Sequence, residues 1–301
     1  MTENPLVSVC IITYNSGMYI LEALDSVAAQ TYDNIELIVS DDASKDNTVE
    51  LCHNWLSEHS SRFVHTEIVT VAQNTGVSAN ANRALRKSQG EWIKYFAGDD
   101  KLLPNCIEDN LAFVKSHPET KLLFSDLLCF RSNHPGTELS SRKAYFKYLS
   151  PREFKVRFLV QNFLPAPSTF LRKDLYEAMG GFDESIPMME DKPFYIKALF
   201  SDAKIDYMPK PTVCYRIGEQ SVSQGNNKNT RFRESQEKAS SLILEKLKSI
   251  SLLLWIYKKN DYQYQFHPSI RNKIRCMLRY INPAYYYVQY LFLKIRILSH
   301  G

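Results

Sequence analysis

Val7-Ser8-Val9-Cys10-Ile11-Ile12-Thr13-Tyr14-Asn15-Ser16-Gly17 is the stretch whose reading decides the fold. Residues 7–12 form a continuous apolar run, as expected of a strand buried on both faces, and residues 14–17 have the composition of a turn. Beyond them Ile20, Leu24, Val27 and Ala28 recur at helical spacing. The alternation continues. Residues 34–40 predict a second strand that ends in a polar turn over 41–47, residues 48–57 a helix and residues 64–71 a third strand. Residues 76–88 then predict a helix, and residues 91–96 a fourth strand that stops at Ala97-Gly98-Asp99-Asp100. Strands alternating with helices predict an α/β fold with a mostly parallel, Rossmann-like central sheet flanked by helices.

In such sheets ligands bind outside the carboxyl ends of the strands. Thr13-Tyr14-Asn15, Asp41-Asp42 and Asp99-Asp100 each follow a predicted strand. If those strands are parallel neighbours, the three clusters line one edge. Several carboxylates and an aromatic ring make a poor core and a good place for a metal ion and a nucleotide.

The second half is less regular. Residues 122–130 predict another strand, 143–163 a basic and aromatic stretch that turns helical after Pro151, 162–167 a loop, 180–184 a turn and 225–229 a polar loop. Residues 189–198 begin acidic and become amphipathic, which puts Glu190 and Asp191 near a helix N-terminus. From Arg231 the pattern is helical. Ala239, Ile243, Leu247, Ile250 and Leu254 make one apolar stripe, and Arg271, Arg275 and Arg279 share a face opposite Ile274 and Leu278. The expected organisation is therefore a catalytic domain over 1–230 and a basic, aromatic helical C-terminal region over 231–301.

With 301 residues, 44% hydrophobic and 23% charged, the chain can bury a sizeable core without staples. Its six cysteines form no CxxC pair and fit no zinc spacing, which points to a reducing compartment. The apolar run at 7–12 is too short for a signal peptide, and no stretch reaches the ~20 apolar residues of a membrane helix. A cytoplasmic protein is expected, with contact at the inner face of the membrane left open. The formal charge of +4 hides an asymmetry: 13 Lys+Arg and 4 Asp+Glu lie from Arg231 onward, leaving 24 and 29 for the rest. A basic tail on a mildly acidic body points to an anionic partner for the tail.

The order of motifs resembles the large family of inverting glycosyltransferases with a GT-A fold, the family 2 type of bacterial polysaccharide synthesis. The matching segments are VSVCIITYN (7–15), ALDSVAAQTYDNIELIVSDDASKDNT (23–48), NTGVSANAN (74–82), EWIKYFAGDD (91–100), GGFDE (180–184), MEDKPFYIKAL (189–199) and YRIGEQSVS (215–223). The resemblance covers roughly residues 5–225, and the tail lies outside it. It implies a nucleotide-sugar donor, in the first place a UDP-sugar. It also implies an acceptor hydroxyl on a glycan or lipid-linked glycan, as in O-antigen or capsule synthesis, and a divalent metal, Mg²⁺ or Mn²⁺.

Roles follow residue by residue. Asp41 matches the family's base-reading carboxylate, which can accept the N3–H of uracil. Asp42 stays open, and both carboxylates could instead cap the following helix. Thr13, Tyr14 and Asn15 match the segment against the nucleotide, although Tyr14 could equally pack in its turn. Asp99 and Asp100 match the metal and ribose-diphosphate segment; hard carboxylate oxygens suit Mg²⁺ or Mn²⁺. Helix capping is the bland alternative for Asp100. Asn74, Gly76 and Asn82 match a segment near the nucleotide, and Arg216, Ser221 and Ser223 a late segment that closes over the diphosphate. Asp191 matches the general base, with Glu190 orienting it or the acceptor. The turn at 180–184 is expected to support the Asp191 helix.

The chain departs from the commonest family pattern at Ala97, Ala81 and Gly218, where relatives often carry Asp, Arg and His; Arg83 or Arg86 could supply the missing cation. These departures keep two other readings on the table: a non-catalytic nucleotide-sugar or nucleic-acid binding module, and a sugar nucleotidyltransferase. The latter lacks a Gly-rich basic loop near the N-terminus. The basic, tyrosine-bearing tail suits an anionic membrane surface, with nucleic acid the less favoured partner. No QxxRW-type motif and no spans are present, which argues against a processive polymer synthase.

Overall fold

The computed structural model describes residues 3–132, 134–218 and 230–299. Ser221 and Ser223 lie outside them, as does the polar segment 225–229, and the side chains of Leu278 and Arg279 are likewise outside the description.

The described chain separates into two compact units. The first holds residues up to 141 and from 165 to 232. Its opening run becomes β1 (Val7–Thr13), buried along its whole length, and α1 (Ile20–Ala28) then buries Ile20, Ala23, Leu24 and Val27 on one face. β2 (Ile35–Asp41), α2 (Thr48–His59), β3 (His65–Thr70), α3 (Val77–Lys87) and β4 (Trp92–Ala97) continue the alternation. Next come β5 (Lys101–Leu102), α4 (Cys106–Ser116), β6 (Thr120–Arg131) and β7 (His134–Ser140).

Residues 143–160 form α5 (Lys143–Tyr148) and α6 (Pro151–Val160). The chain returns to the first unit with β8 (Phe170–Arg172), α7 (Lys173–Ala178), α8 (Asp191–Leu199) and β9 (Lys204–Arg216).

Among the described residues these nine strands make one sheet in the order β3-β2-β1-β4-β8-β6-β9-β5, with β7 beside β6. β3, β2, β1 and β4 run parallel. β8 is antiparallel to β4 and β6, and β9 runs parallel to β6. The register is what matters for the site. Thr13 pairs with Asp41, Asp41 with Thr70 and Ile12 with Ala97, so three strands end level and their polar clusters share one edge.

The second unit joins residues 142–164 to residues 233–301, whereas the sequence reading set a single cut at 230. The physical reason is an aromatic cluster. Tyr145 stacks on Phe163 at 4.2 Å, Phe154 and Phe158 meet Phe163 edge-on, and the Arg157 guanidinium lies 3.8 Å from the Phe292 ring centroid. Ser150 and Glu153 form a reciprocal cap at the start of α6, with Pro151 in its first turn. Lys294 reaches Glu153 at 2.9 Å.

Most of the described tail is helical: α9 (Thr230–Ile250), α10 (Leu252–Phe266), α11 (Ile270–Met277) and α12 (Pro283–Ser299). Ala239, Ile243, Leu247 and Leu254 of the expected stripe are buried, as are Val288, Leu291 and Ile295 of α12. No helix among the described residues is long and apolar enough to cross a membrane.

Candidate active site

Asp41 and Asp42 end β2 side by side, both buried, and the structure gives them different work. Asp41 accepts hydrogen bonds from the Ser44 backbone N–H at 2.8 Å and from the Ser44 hydroxyl, within a turn that puts Ala43 at φ +66°. A non-glycine residue in that region carries strain, of a kind that collects at binding sites.

Asp42 is a clamp. It accepts from the Thr75 hydroxyl at 2.6 Å, the Thr75 N–H at 3.0 Å, the Gly76 N–H at 2.7 Å and Arg83 Nη2 at 2.8 Å. Burial opposes its charge, but the bonds from Thr75, Arg83 and Gly76 outweigh that and hold its carboxyl below the usual range. Neither carboxylate caps α2: its N-cap position is Asn47, and the Thr48 N–H that opens the helix donates to Asp46 at 3.1 Å, as does the Thr48 hydroxyl at 2.5 Å.

The end of β1 is tied to the same frame. The Thr13 carbonyl accepts from the Asp42 N–H at 3.0 Å and from Asn80 Nδ2 at 3.1 Å. Tyr14 is half-exposed and free to meet a planar ligand, while Asn15 is pinned by its N–H to Ser44 Oγ at 2.7 Å and by Lys45 N–H to its Oδ1 at 2.8 Å. Asn74 donates to the Asp42 carbonyl at 3.3 Å and accepts from Arg231 at 2.8 Å.

Gly76 sits at φ +99°, and a Cβ there would lie 2.6 Å from the Pro187 carbonyl oxygen and 2.8 Å from Pro187 Cβ. The backbone thus needs glycine twice over, for its dihedral and for the close approach of the loop that leads to Glu190.

Two expectations change here. Asn82 is fully buried and turned away from the strand ends. It donates to the Phe182 carbonyl at 3.0 Å and to Glu184 Oε1 at 2.7 Å, and it accepts from Tyr176 Oη at 2.8 Å and the Phe182 N–H at 2.9 Å. Its donors and acceptor hold the turn at 180–184, where Gly180 and Gly181 take φ +74° and +73°.

Arg216 is also turned inward. Its Nε donates to the Asp99 carbonyl at 2.8 Å, Nη1 to Ser132 Oγ at 2.6 Å and Nη2 to Glu22 Oε2 at 3.0 Å, and its backbone N–H donates to Asp100 Oδ1 at 2.8 Å. The guanidinium lies between the rings of Tyr19 and Phe130, at 4.2 and 4.5 Å. It braces the Asp99-Asp100 turn, where the sequence reading had it reaching the diphosphate. Of the two other arginines considered, Arg83 serves Asp42 and Arg86 pairs with Glu184 at 2.7 Å.

Asp100 does not cap α4, which begins only at Cys106. Burial raises the pKa of Asp99. Burial and then the adjacent Asp99 charge raise that of Asp100 well above the usual range, against the pull of Arg216 and Lys94. Among the described residues no group of three His, Cys, Asp or Glu gathers to hold a metal by itself. The Asp99-Asp100 pair nevertheless offers the hard carboxylate oxygens that suit a divalent cation. Two adjacent, desolvated carboxylates are disfavoured as charged groups, and a hard cation would relieve both.

Glu190 and Asp191 open α8, both partly buried, with the Lys192 N–H donating to Asp191 Oδ1 at 2.6 Å. Burial and then the Asp191 charge push Glu190 upward. The same two carboxylates act on the buried hydroxyls of Tyr95 and Tyr195, and Tyr195 shares a 2.5 Å hydrogen bond with Thr169. Tyr95 belongs to β4, so the start of α8 lies near the strand that leads into the Asp99-Asp100 turn.

Sequence reasoning missed Glu22, Tyr195 and Lys94. Lys94 is fully buried in mid-strand and donates to the Pro167 carbonyl at 2.7 Å. A lone lysine inside the apolar run EWIKYF was the signal that could have exposed it.

The model named Glycosyl transferase family 2 matches residues 8–180. An uncharacterized glycosyltransferase of Rickettsia typhi is 28% identical over 207 residues, which cover 66% of this chain and 60% of that protein. The chain thus spans about 60% of the length of that relative. Staphylococcus aureus TarS 1-349 in complex with UDP-GlcNAc superposes with a TM-score of 0.66 at 20% identity, over 91% of this chain and 79% of that one. The mannosyltransferase PcManGT of Pyrobaculum calidifontis, in complex with GDP-Man and Mn²⁺, gives 0.55 at 14% identity, over 98% and 87%. At these identities the two structures speak for a shared fold.

Proposed function

The chain belongs to glycosyl transferase family 2 and has the GT-A architecture, and from that premise we propose that it moves a sugar from a nucleotide-sugar to an acceptor hydroxyl with inversion at the anomeric carbon. The observation that carries this reading is the level edge of β1, β2 and β4, which presents Thr13, Asp41 and the Asp99-Asp100 pair together, with Asp191 at the head of α8. The complexes of TarS with UDP-GlcNAc and of PcManGT with GDP-Man support a nucleotide-sugar donor, and Asp41 favours uracil, whose N3–H it can accept. Tyr14, Asn15, Asn74 and the Gly76 backbone border the donor, while Asn82 and Arg216 shape the site from behind.

In the reaction the acceptor oxygen attacks C1 as the bond from C1 to the diphosphate oxygen breaks. The acceptor proton passes to Asp191, and the nucleoside diphosphate leaves with the bonding pair. Glu190, disfavoured as a second charge beside Asp191, holds a proton more readily than an ordinary carboxyl and keeps the base singly charged. Asp99 and Asp100 would hold Mg²⁺ or Mn²⁺, which offsets the charge gained by the leaving diphosphate. The acceptor is a lipid-linked glycan of a surface polysaccharide, met at the inner face of the cytoplasmic membrane through the C-terminal region.

The test is transfer and hydrolysis across UDP-, GDP- and dTDP-sugars with Mg²⁺, Mn²⁺ or EDTA. Release of UDP from one donor, lost with EDTA, is expected. No turnover together with no donor-induced shift in melting temperature refutes the reading.

A further inference from the structure

The second unit carries a face that nothing within it covers. α11 has no buried residue. On an α-helix positions 270, 274 and 277 fall on one line, and here they are Ile270, Ile274 and Met277, exposed by 81%, 54% and 60%, while Ile281, 75% exposed, ends the 3-10 turn Leu278–Ile281 that follows. The helix is fastened from the opposite side. Asn272 Nδ2 donates to the His267 carbonyl at 2.7 Å and to the Gln263 carbonyl at 3.3 Å, both at the end of α10. The apolar line is thereby turned outward.

It continues onto the start of α10. Asn282 Nδ2 donates to the Leu253 carbonyl at 3.1 Å, which brings exposed Leu252 and Leu253 beside Ile281. Exposed Arg271 and Lys273 flank the line. An eight-residue helix with no buried side chain is marginal in water by itself and gains order by burying its stripe elsewhere.

The charge of the unit says what covers it. Residues 142–164 and 233–301 hold 18 Lys+Arg against 5 Asp+Glu, leaving 19 against 28 for the rest of the chain. The cut at Arg231 understated this segregation, because residues 142–164 add six cations and one anion. A strongly cationic unit with an outward apolar line flanked by Arg and Lys complements an anionic lipid surface. A second copy of the chain would bring two such cationic units together.

We propose that α11, residues 278–281 and the start of α10 form an in-plane anchor that seats Ile270, Ile274, Met277, Ile281, Leu252 and Leu253 at the headgroup boundary of an anionic phospholipid bilayer. The cations around them pair with the lipid phosphates. This deepens the reading that the C-terminal region meets the membrane, and it is tested without reference to sugar transfer.

The experiment is flotation of the full chain with phosphatidylcholine vesicles that either contain or lack phosphatidylglycerol, at low salt and at high salt. Wild type should float with the anionic vesicles only, and less at high salt. The double variant Ile274→Ser/Ile281→Ser alters exposed positions, so its circular dichroism and melting should match wild type while vesicle affinity falls by about tenfold or more, as expected for two lost apolar insertions. Leu139→Ser, an exposed apolar change in the first unit, should float as wild type does. Equal flotation of the double variant, failure of wild type to float with either vesicle, or a wild-type dimer that the double variant dissociates would each overturn the proposal. Lost sugar transfer with intact flotation would count against the proposed activity alone.

Discussion

Replacing Asp42 by Asn should unfold the donor side of the site without touching a ligand. The carboxylate accepts at its Oδ1 from the Thr75 N–H, the Thr75 hydroxyl and Arg83 Nη2, and at its Oδ2 from the Gly76 N–H and again from the Thr75 N–H. An amide keeps one acceptor oxygen. If the NH₂ replaces Oδ2 it faces the Gly76 N–H donor to donor, and if it replaces Oδ1 it faces Arg83 and Thr75. Either way a buried donor loses its partner and Arg83, itself largely buried, loses its counter-charge.

Removing one partner of a buried, hydrogen-bonded ion pair costs about 3–5 kcal/mol, a large part of the roughly 5–15 kcal/mol that holds a domain folded. At about 2–4 °C per kcal/mol the melting temperature should fall by roughly 6–20 °C. Scanning calorimetry of D42N beside D41N is the assay. Among the described residues Asp41 accepts only from Ser44, so D41N should melt close to wild type and lose donor affinity instead. A D42N protein that melts within about 2 °C of wild type would refute the clamp.

The remaining expectations concern chemistry and pH. Asp42 is held below the usual carboxylate range in the folded chain, so its contribution is full above the unfolded pKa and lost as pH falls through the folded one; wild type should lose more stability than D42N on acidification below about pH 4. Glu190 is shifted the other way, and its contribution is full below the unfolded pKa and lost as pH rises through its raised pKa of about 8, so E190Q should flatten the loss of melting temperature between about pH 4 and about pH 8. D191N should cut turnover by about 10²–10⁴-fold with donor affinity unchanged, read by single-turnover transfer and calorimetric titration. G76A should destabilise by about 2–4 kcal/mol, from left-handed strain and the approach to Pro187, measured by denaturant unfolding.

β1, β2 and β4 were legible because buried parallel strands are largely apolar and their polar ends mark the ligand edge, whereas β3, which is only partly buried, was legible from its place in the strand–helix alternation. β9 was not. Pro209 and Pro211 argue against a strand, and the register jumps from Ser125 opposite Met208 to Asp126 opposite Pro211, an irregularity that accommodates them. β8, three residues long, gives no period to read. The site's residue types were visible, but their direction was not. Asn82 and Arg216 stand in the expected segments, yet one turns to the glycine turn and the other into the acidic turn, because hydrogen bonds formed across 100 and 116 positions decide where a side chain points. Asp42 could not be separated from Asp41 for the same reason, since Thr75, Gly76 and Arg83 reach it only in the folded chain.

The contact between Gly76 and Pro187 has a consequence for how such sequences can drift. Position 76 admits no side chain while the carbonyl of position 187 occupies that space, and Ser78 reinforces the arrangement by donating its N–H to the same carbonyl at 3.1 Å and its hydroxyl to Ile186 at 2.6 Å. The two loops therefore behave as one inherited character. A homologue that loses the glycine should also show a changed length or course near 187, and a chimera that takes 74–82 from one parent and 180–191 from another should fail unless both halves are exchanged together.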